Sequence, residues 1–245
     1  MTALLKMEGV GISFGALRAV HDVTFSVEQG ELVGLIGPNG AGKSTLYNLM
    51  AGALRPDSGR IVFDGRNIAG LKPHHVARIG IARTFQIPKP YRQMSVVENV
   101  MLSAMLNERS VSKSRERAAE VLFEVGLESY VDSPVSVLTT GLLKRLEVAR
   151  ALALRPRLVL FDEIMAGLTP SEVKAVTALV ASLPGRGITV IWVEHVLYAI
   201  MNTARRILVL NRGELIADGP PQQVVRDRNV VSAYLGEEEP ADAQG

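Results

Sequence analysis

Hydrophobic residues keep two rhythms along this chain. Before residue 90 they come in short apolar or alternating runs parted by Gly, Pro, Asp and Asn, which predicts strands at 4–10, 23–27, 32–36, 60–63 and 81–85. The run at 32–36 passes through a Gly-rich turn into a helical pattern at 43–50, giving strand, loop, helix. Between residues 95 and 154 the period lengthens to that of helices, as at 115–125 and 142–154, with no readable strand. After Pro156 the short runs return, with strands at 158–161, 188–193 and 207–210 and helices at 171–183 and 195–201. Strands alternating with helices predict a mainly parallel sheet covered on both faces. The chain therefore reads as one α/β domain interrupted by an all-helical insertion of about sixty residues.

Composition sharpens this picture. With 245 residues, 47% of them hydrophobic, there is ample material for one core. No apolar run approaches the ~18 residues of a membrane helix, and the start lacks the pattern of a signal peptide. The absence of cysteine fits a reducing cytosol. The formal charge is +2, and four acids sit in the tail 237–245, leaving 27 basic against 21 acidic residues elsewhere. Those bases are scattered rather than gathered in a stripe, so no nucleic-acid partner is expected.

The chemistry begins where the third strand ends. Gly37-Pro38-Asn39-Gly40-Ala41-Gly42-Lys43-Ser44 fits G-x-x-x-x-G-K-[ST]. Glycines let the backbone curl so that successive N–H groups face phosphate oxygens, and the following helix adds its positive end. Lys43 supplies a mobile charge for the β- and γ-phosphates, and the Ser44 hydroxyl reaches Mg²⁺. A second half-site follows the apolar run 158–161: Asp162 to hold Mg²⁺ through water, and Glu163 to polarise the attacking water as general base. These parts specify nucleoside-triphosphate hydrolysis or transfer. No N-K-x-D guanine-reading motif is present, whereas a small-molecule kinase remains open at this point.

The remaining pieces, in this order and spacing, resemble the ATP-binding cassette (ABC) subunits of membrane transporters over almost the whole chain. Phe14, in Ile12-Ser13-Phe14-Gly15, looks like the aromatic that stacks on adenine, the alternative being a core Phe. The phosphate loop matches from Gly37 to Thr45. Gln86, in Arg83-Thr84-Phe85-Gln86, looks like the glutamine that senses Mg²⁺ and the attacking water. Leu138-Thr139-Thr140-Gly141-Leu142 stands where the family carries its L-S-G-G-Q signature. His195, in Trp192-Val193-Glu194-His195, looks like the switch histidine at the γ-phosphate. Two departures stand out. Only Leu138 and Gly141 survive of the usual signature, with Thr140 strained if its position needs a positive φ. Thr169 replaces a common Asp.

The resemblance implies a P-loop NTPase fold of the ABC type: a mainly parallel sheet, an antiparallel β N-terminal part and an inserted helical subdomain. Residues 1–245 form a single ABC ATPase domain, with the nucleotide-binding core at 1–90 and 155–220. The signature subdomain takes 91–154, and a short extension with the acidic tail 221–245. Segments 80–90, 166–172 and 219–236 resemble importers of branched-chain amino acids and related hydrophobic or polar amino acids or amides. That implies ATP and Mg²⁺ as cofactors. The implied partners are a second ABC ATPase subunit, identical or different, two integral membrane permease subunits and, indirectly, a periplasmic solute-binding protein. The implied location is cytoplasmic, peripheral on the inner face of the membrane. ATP would be covered by the partner chain's signature turn. Ile87, Pro88, Tyr91 and Met94 either contact a permease helix or cap the insertion's own core. A soluble cassette ATPase acting on ribosomes or DNA is disfavoured by the lack of a tandem cassette, coiled coil or basic arm.

Overall fold

The computed structural model describes residues 3–194 and 197–235. Strands β1 (Ala3–Phe14) and β2 (Leu17–Glu28) form a long antiparallel hairpin. β3 (Leu32–Ile36) leads into helix α1 (Lys43–Met50), followed by β4 (Ser58–Phe63) and β5 (Arg66–Asn67). Then come α2 (Pro73–Arg78), β6 (Ile81–Arg83) and three helices, α3 (Val96–Ala104), α4 (Val111–Glu124) and α5 (Thr140–Ala153). The remainder is β7 (Leu158–Asp162), α6 (Pro170–Ser182), β8 (Thr189–Val193), α7 (Leu197–Thr203), β9 (Arg206–Asn211), β10 (Glu214–Gly219), α8 (Pro221–Val224) and α9 (Arg228–Leu235).

The strands make two sheets. The order β2-β1-β4-β5 is antiparallel, and the larger sheet runs β10-β9-β3-β8-β7-β6. In that larger sheet every pair is parallel except β10 on β9. Apart from the edge strand β10, its strands are largely buried on both faces, and side-chain alternation splits them between two cores. Val33, Leu35, Leu158 and Leu160 face α1 and the antiparallel sheet. Leu32, Ile36, Val159 and Phe161 face α6 and the α3–α5 cluster. Within that cluster, Ser95 caps α3 in a reciprocal capping box with Glu98. Val97, Val100, Val121, Leu122 and Leu146 close the inner faces of the three helices. Among the described residues no helix is long and apolar enough to cross a membrane.

The predicted elements are present, with instructive differences. Strands β1 and β2 run several residues past the expected 4–10 and 23–27. Their far ends are exposed and held by hairpin backbone bonds, which need no apolar side chains. The expected strand 81–85 stops at Arg83, where the chain turns toward the helices. β10 was not predicted, because it is a half-exposed edge strand with a weak apolar pattern.

Candidate functional site

The phosphate loop joins β3 to α1. Gly42, just before the helix, has φ 100°, and a Cβ there would lie 2.3 Å from the Ala19 carbonyl oxygen, so only glycine fits. The Lys43 ammonium is buried and donates to the Gly37 and Pro38 carbonyls at 2.7 and 2.9 Å. Burial lowers its pKa, while the Glu163 and Asp162 carboxylates act in the opposite direction. A phosphate entering the loop competes with those two carbonyls for the ammonium. One turn further along α1, the fully buried Tyr47 directs its hydroxyl to the Ile191 and Phe161 carbonyls, at 2.6 and 3.0 Å. Burial pushes that phenol well above its ordinary pKa, so it stays a neutral donor. The helix of the phosphate loop is thereby tied to β7 and β8.

Asp162 ends β7. Its N–H donates to Thr84 Oγ1 at 3.1 Å, and one of its carboxylate oxygens lies 3.9 Å from the Arg83 guanidinium. Arg83 also donates to Asn48 Oδ1 of α1 at 2.6 Å, so α1, β6 and β7 meet here. Burial raises the pKa of Asp162 despite Arg83 beside it. Glu163 follows with φ 47°, a left-handed conformation costing roughly 1–2 kcal/mol in a non-glycine residue. Its N–H donates to the Val193 carbonyl at 3.0 Å. Its carboxylate accepts from Gln86 Nε2 at 2.5 Å, which brings together two residues 77 positions apart.

A cleft of about 610 Å³ opens over the loop, lined by Asn39 to Thr45, Glu163, Phe14 and four residues that sequence reasoning missed, Leu17, Arg18, Ala19 and Arg212. Phe14 is 49% exposed on its rim, which sets aside the core alternative. Arg18 sits at the start of β2 and Arg212 in the turn between β9 and β10, and neither carries a sequence signal beyond its charge. Gln86 reaches the cleft through Glu163. His195 lies outside the described residues, as does the acidic tail. Ile87 and Tyr91 are exposed, so neither caps the insertion's core, while Pro88 and Met94 are half-buried.

The turn Leu138–Leu142 is absent from the lining of this cleft. Thr139 caps α5, its hydroxyl accepting from the Leu142 N–H at 3.4 Å. Thr140 is the first helical residue and has no positive φ, so the strain envisaged for it does not arise. At Gly141 a different neighbour matters. A Cβ there would sit 2.1 Å from a Glu172 carboxylate oxygen, and Glu172 is held by its capping box with Thr169 at the start of α6. Thr169 thus does a helix-capping job in the loop where Asp is common.

The known proteins agree with this geometry. The model of the ABC transporter family matches residues 20–166, and the model described as branched-chain amino acid ATP-binding cassette transporter matches residues 214–240. The chain is 38% identical to the high-affinity branched-chain amino acid transport ATP-binding protein BraF of Pseudomonas aeruginosa, covering 96% of this chain and 98% of BraF. It is 37% identical to the lipopolysaccharide export system ATP-binding protein LptB of Acidithiobacillus ferridurans, over 97% and 99% of the two chains. The crystal structure of the ADP conformation of an ATP-binding cassette of an ABC transporter superposes with a TM-score of 0.87 at 32% identity, covering 97% of this chain and all of that one. A nucleotide loop, an acidic pair and a signature helix on one fold, with relatives matching from end to end, make this chain a member of the ABC transporter family and an ATP-hydrolysing cassette.

Proposed function

We propose that this chain is the cytoplasmic ATPase of an importer for branched-chain or related amino acids or amides, seated peripherally on the inner face of the membrane. The observation that carries the choice of solute class is the match of residues 214–240 to the branched-chain cassette model, supported by the full-length likeness to BraF. In this reading residues 1–90 and 155–220 bind nucleotide, 91–154 carry the signature, and 221–245 form the extension. Gly37–Thr45 cradle the phosphates, Phe14 stacks on adenine, and Glu163 takes a proton from the attacking water, with Gln86 and His195 placing the γ-phosphate and water.

Ser44, Gln86 and Asp162 offer hard oxygen ligands, which suit Mg²⁺. Among the described residues no group of three or more His, Cys, Asp or Glu side chains forms a cage, so such an ion takes the rest of its ligands from nucleotide and water. When bound, Mg²⁺ neutralises charge on the phosphates.

As the family resemblance implies, a second cassette supplies the signature turn over the nucleotide in a head-to-tail dimer. Closure of the dimer moves two permease subunits, which receive solute from a periplasmic binding protein. Ile87 and Tyr91, both exposed, with Pro88 and Met94 half-buried, form the docking surface for a permease helix. The likeness to LptB supports a second reading, in which the permeases export a lipid.

The test is co-reconstitution in proteoliposomes with a second cassette and two permease subunits of a branched-chain amino-acid importer, in the presence of its periplasmic binding protein. ATP-driven leucine uptake is expected, together with a loss of turnover of at least ~10²-fold in Glu163→Gln. ATP turnover with lipid extraction and no amino-acid uptake would overturn the importer reading, and near-native turnover in Glu163→Gln would remove that residue as base.

A further inference from the structure

Helix α5 does more than present the signature turn. Lys144 lies two residues beyond that turn and is 4% exposed. Its ammonium donates to the Gln86 carbonyl and, at 3.0 Å, to the Glu163 carbonyl. Glu147, one helical turn on and also buried, accepts from the Lys89 N–H at 3.3 Å. Arg150, another turn on, donates to the Lys89 carbonyl at 3.1 Å and pairs with Glu147 at 2.6 Å. Residues three apart share one helix face, so a single stripe of α5 grips the segment 86–89 at both ends. Only Lys144 also reaches the acidic pair.

A buried ammonium carries a desolvation penalty, and here burial lowers its pKa, with Glu194, Glu163, Asp162 and Glu147 opposing that shift. An apolar residue would fill this place with less electrostatic cost. What the ammonium adds is two directed bonds, to the backbone of the two residues whose side chains meet at the cleft.

We propose that Lys144 is a positioning residue through which the orientation of α5 sets the placement of Gln86 and Glu163. This rests on the reading of those two residues and of the head-to-tail dimer given above. Thr139 and Lys144 are five residues apart, about 7.5 Å along a rigid helix. The turn at Thr139 covers the partner's nucleotide, whereas Lys144 holds the groups around the chain's own nucleotide. One helix therefore touches both sites of the dimer, and nucleotide arriving at one site shifts the water-activating groups of the other.

The experiment uses Lys144→Met, of similar length without donors, in the assembled transporter, with Glu163→Gln as reference. Mg-ATP affinity should stay within about twofold, because the phosphate loop is untouched. Turnover should fall toward ~10²-fold, the scale of a misplaced catalytic group, and the Hill coefficient for ATP should drop to about one. Wild-type turnover and cooperativity would overturn the proposal. If Lys144→Met does not fold, Lys144→Gln, which keeps donors with shorter reach, is measured in the same way. Failure of both to fold, or a parallel loss of affinity and melting temperature, would make Lys144 a core residue only and overturn it. Should Glu163→Gln keep its turnover, it is the reading of the site that fails, separately from the tether.

Discussion

Tyr47→Phe isolates a single hydroxyl that ties the phosphate-loop helix to the sheet. The ring stays in its fully buried place, so no cavity opens. What is lost is one proton shared between the Ile191 and Phe161 carbonyls, at 2.6 and 3.0 Å. A buried neutral hydrogen bond contributes about 1 kcal/mol net, and leaving its acceptor short of a donor raises the loss to about 1–2 kcal/mol. For a chain of this size that is a melting temperature about 2–8 °C lower. The functional effect follows from the position of the bond, between α1 carrying Lys43 and Ser44 and β7 carrying Asp162. Loosening it should lower steady-state ATP turnover severalfold while leaving nucleotide affinity within about twofold, since the loop itself is unchanged. Circular-dichroism melting and coupled ATPase assays read both. A melting temperature within about 1 °C of wild type would refute the energetic argument, and unchanged turnover at a lowered melting temperature would refute the positional one.

Other consequences are equally direct. Phe14→Ala should weaken ATP binding by about 1–3 kcal/mol, read by equilibrium titration, with Phe14→Trp tolerated; normal affinity in both variants would end the stacking role. Asp162→Asn should abolish Mg-dependent hydrolysis and yet melt higher than wild type at neutral pH. The folded carboxyl has a pKa raised above its ordinary value of 3.8, so its ionisation opposes folding as pH rises through that raised value. The gap between the two proteins should close below about pH 4, and an Asn variant that melts lower at pH 7 would contradict the sign. Leu142→Gln in the assembled transporter should raise turnover severalfold by restoring a donor at the signature, whereas Thr140→Gly alone should give no gain, because Thr140 is unstrained. Equal turnover in all of these would show that this signature is not limiting.

The legible half of the site was written in local chemistry. A phosphate loop needs glycines, Lys43 and Ser44 at fixed spacing because backbone N–H groups do the binding. An acidic pair after four apolar residues marks the end of a buried strand. The illegible half depends on contacts distant in sequence. Lys144 sits in a run that reads as an ordinary helix, and only the fold shows that its ammonium turns inward to two carbonyls 58 and 19 residues away. Tyr47 lies in a run that reads only as a helix, because its hydroxyl partners lie 114 and 144 residues downstream. Gly141 is recognisable by position, yet the group it lies against, Glu172, comes from another helix. In the fold, the buried strands were legible from apolar runs, while β10 and the outer reaches of β1 and β2 are held by backbone pairing, which leaves little trace in side-chain pattern.

The left-handed backbone at Glu163 bears on how this protein would evolve in the laboratory. At φ 47° glycine relieves the strain, and asparagine tolerates it better than glutamate does. A library selected only for heat resistance would therefore drift at this codon toward residues without a proton acceptor, and its most robust survivors would be inert. Selection for growth on imported solute would hold the carboxylate in place and push the search for stability elsewhere, into the helices and the outer hairpin, where no residue is asked to be uncomfortable.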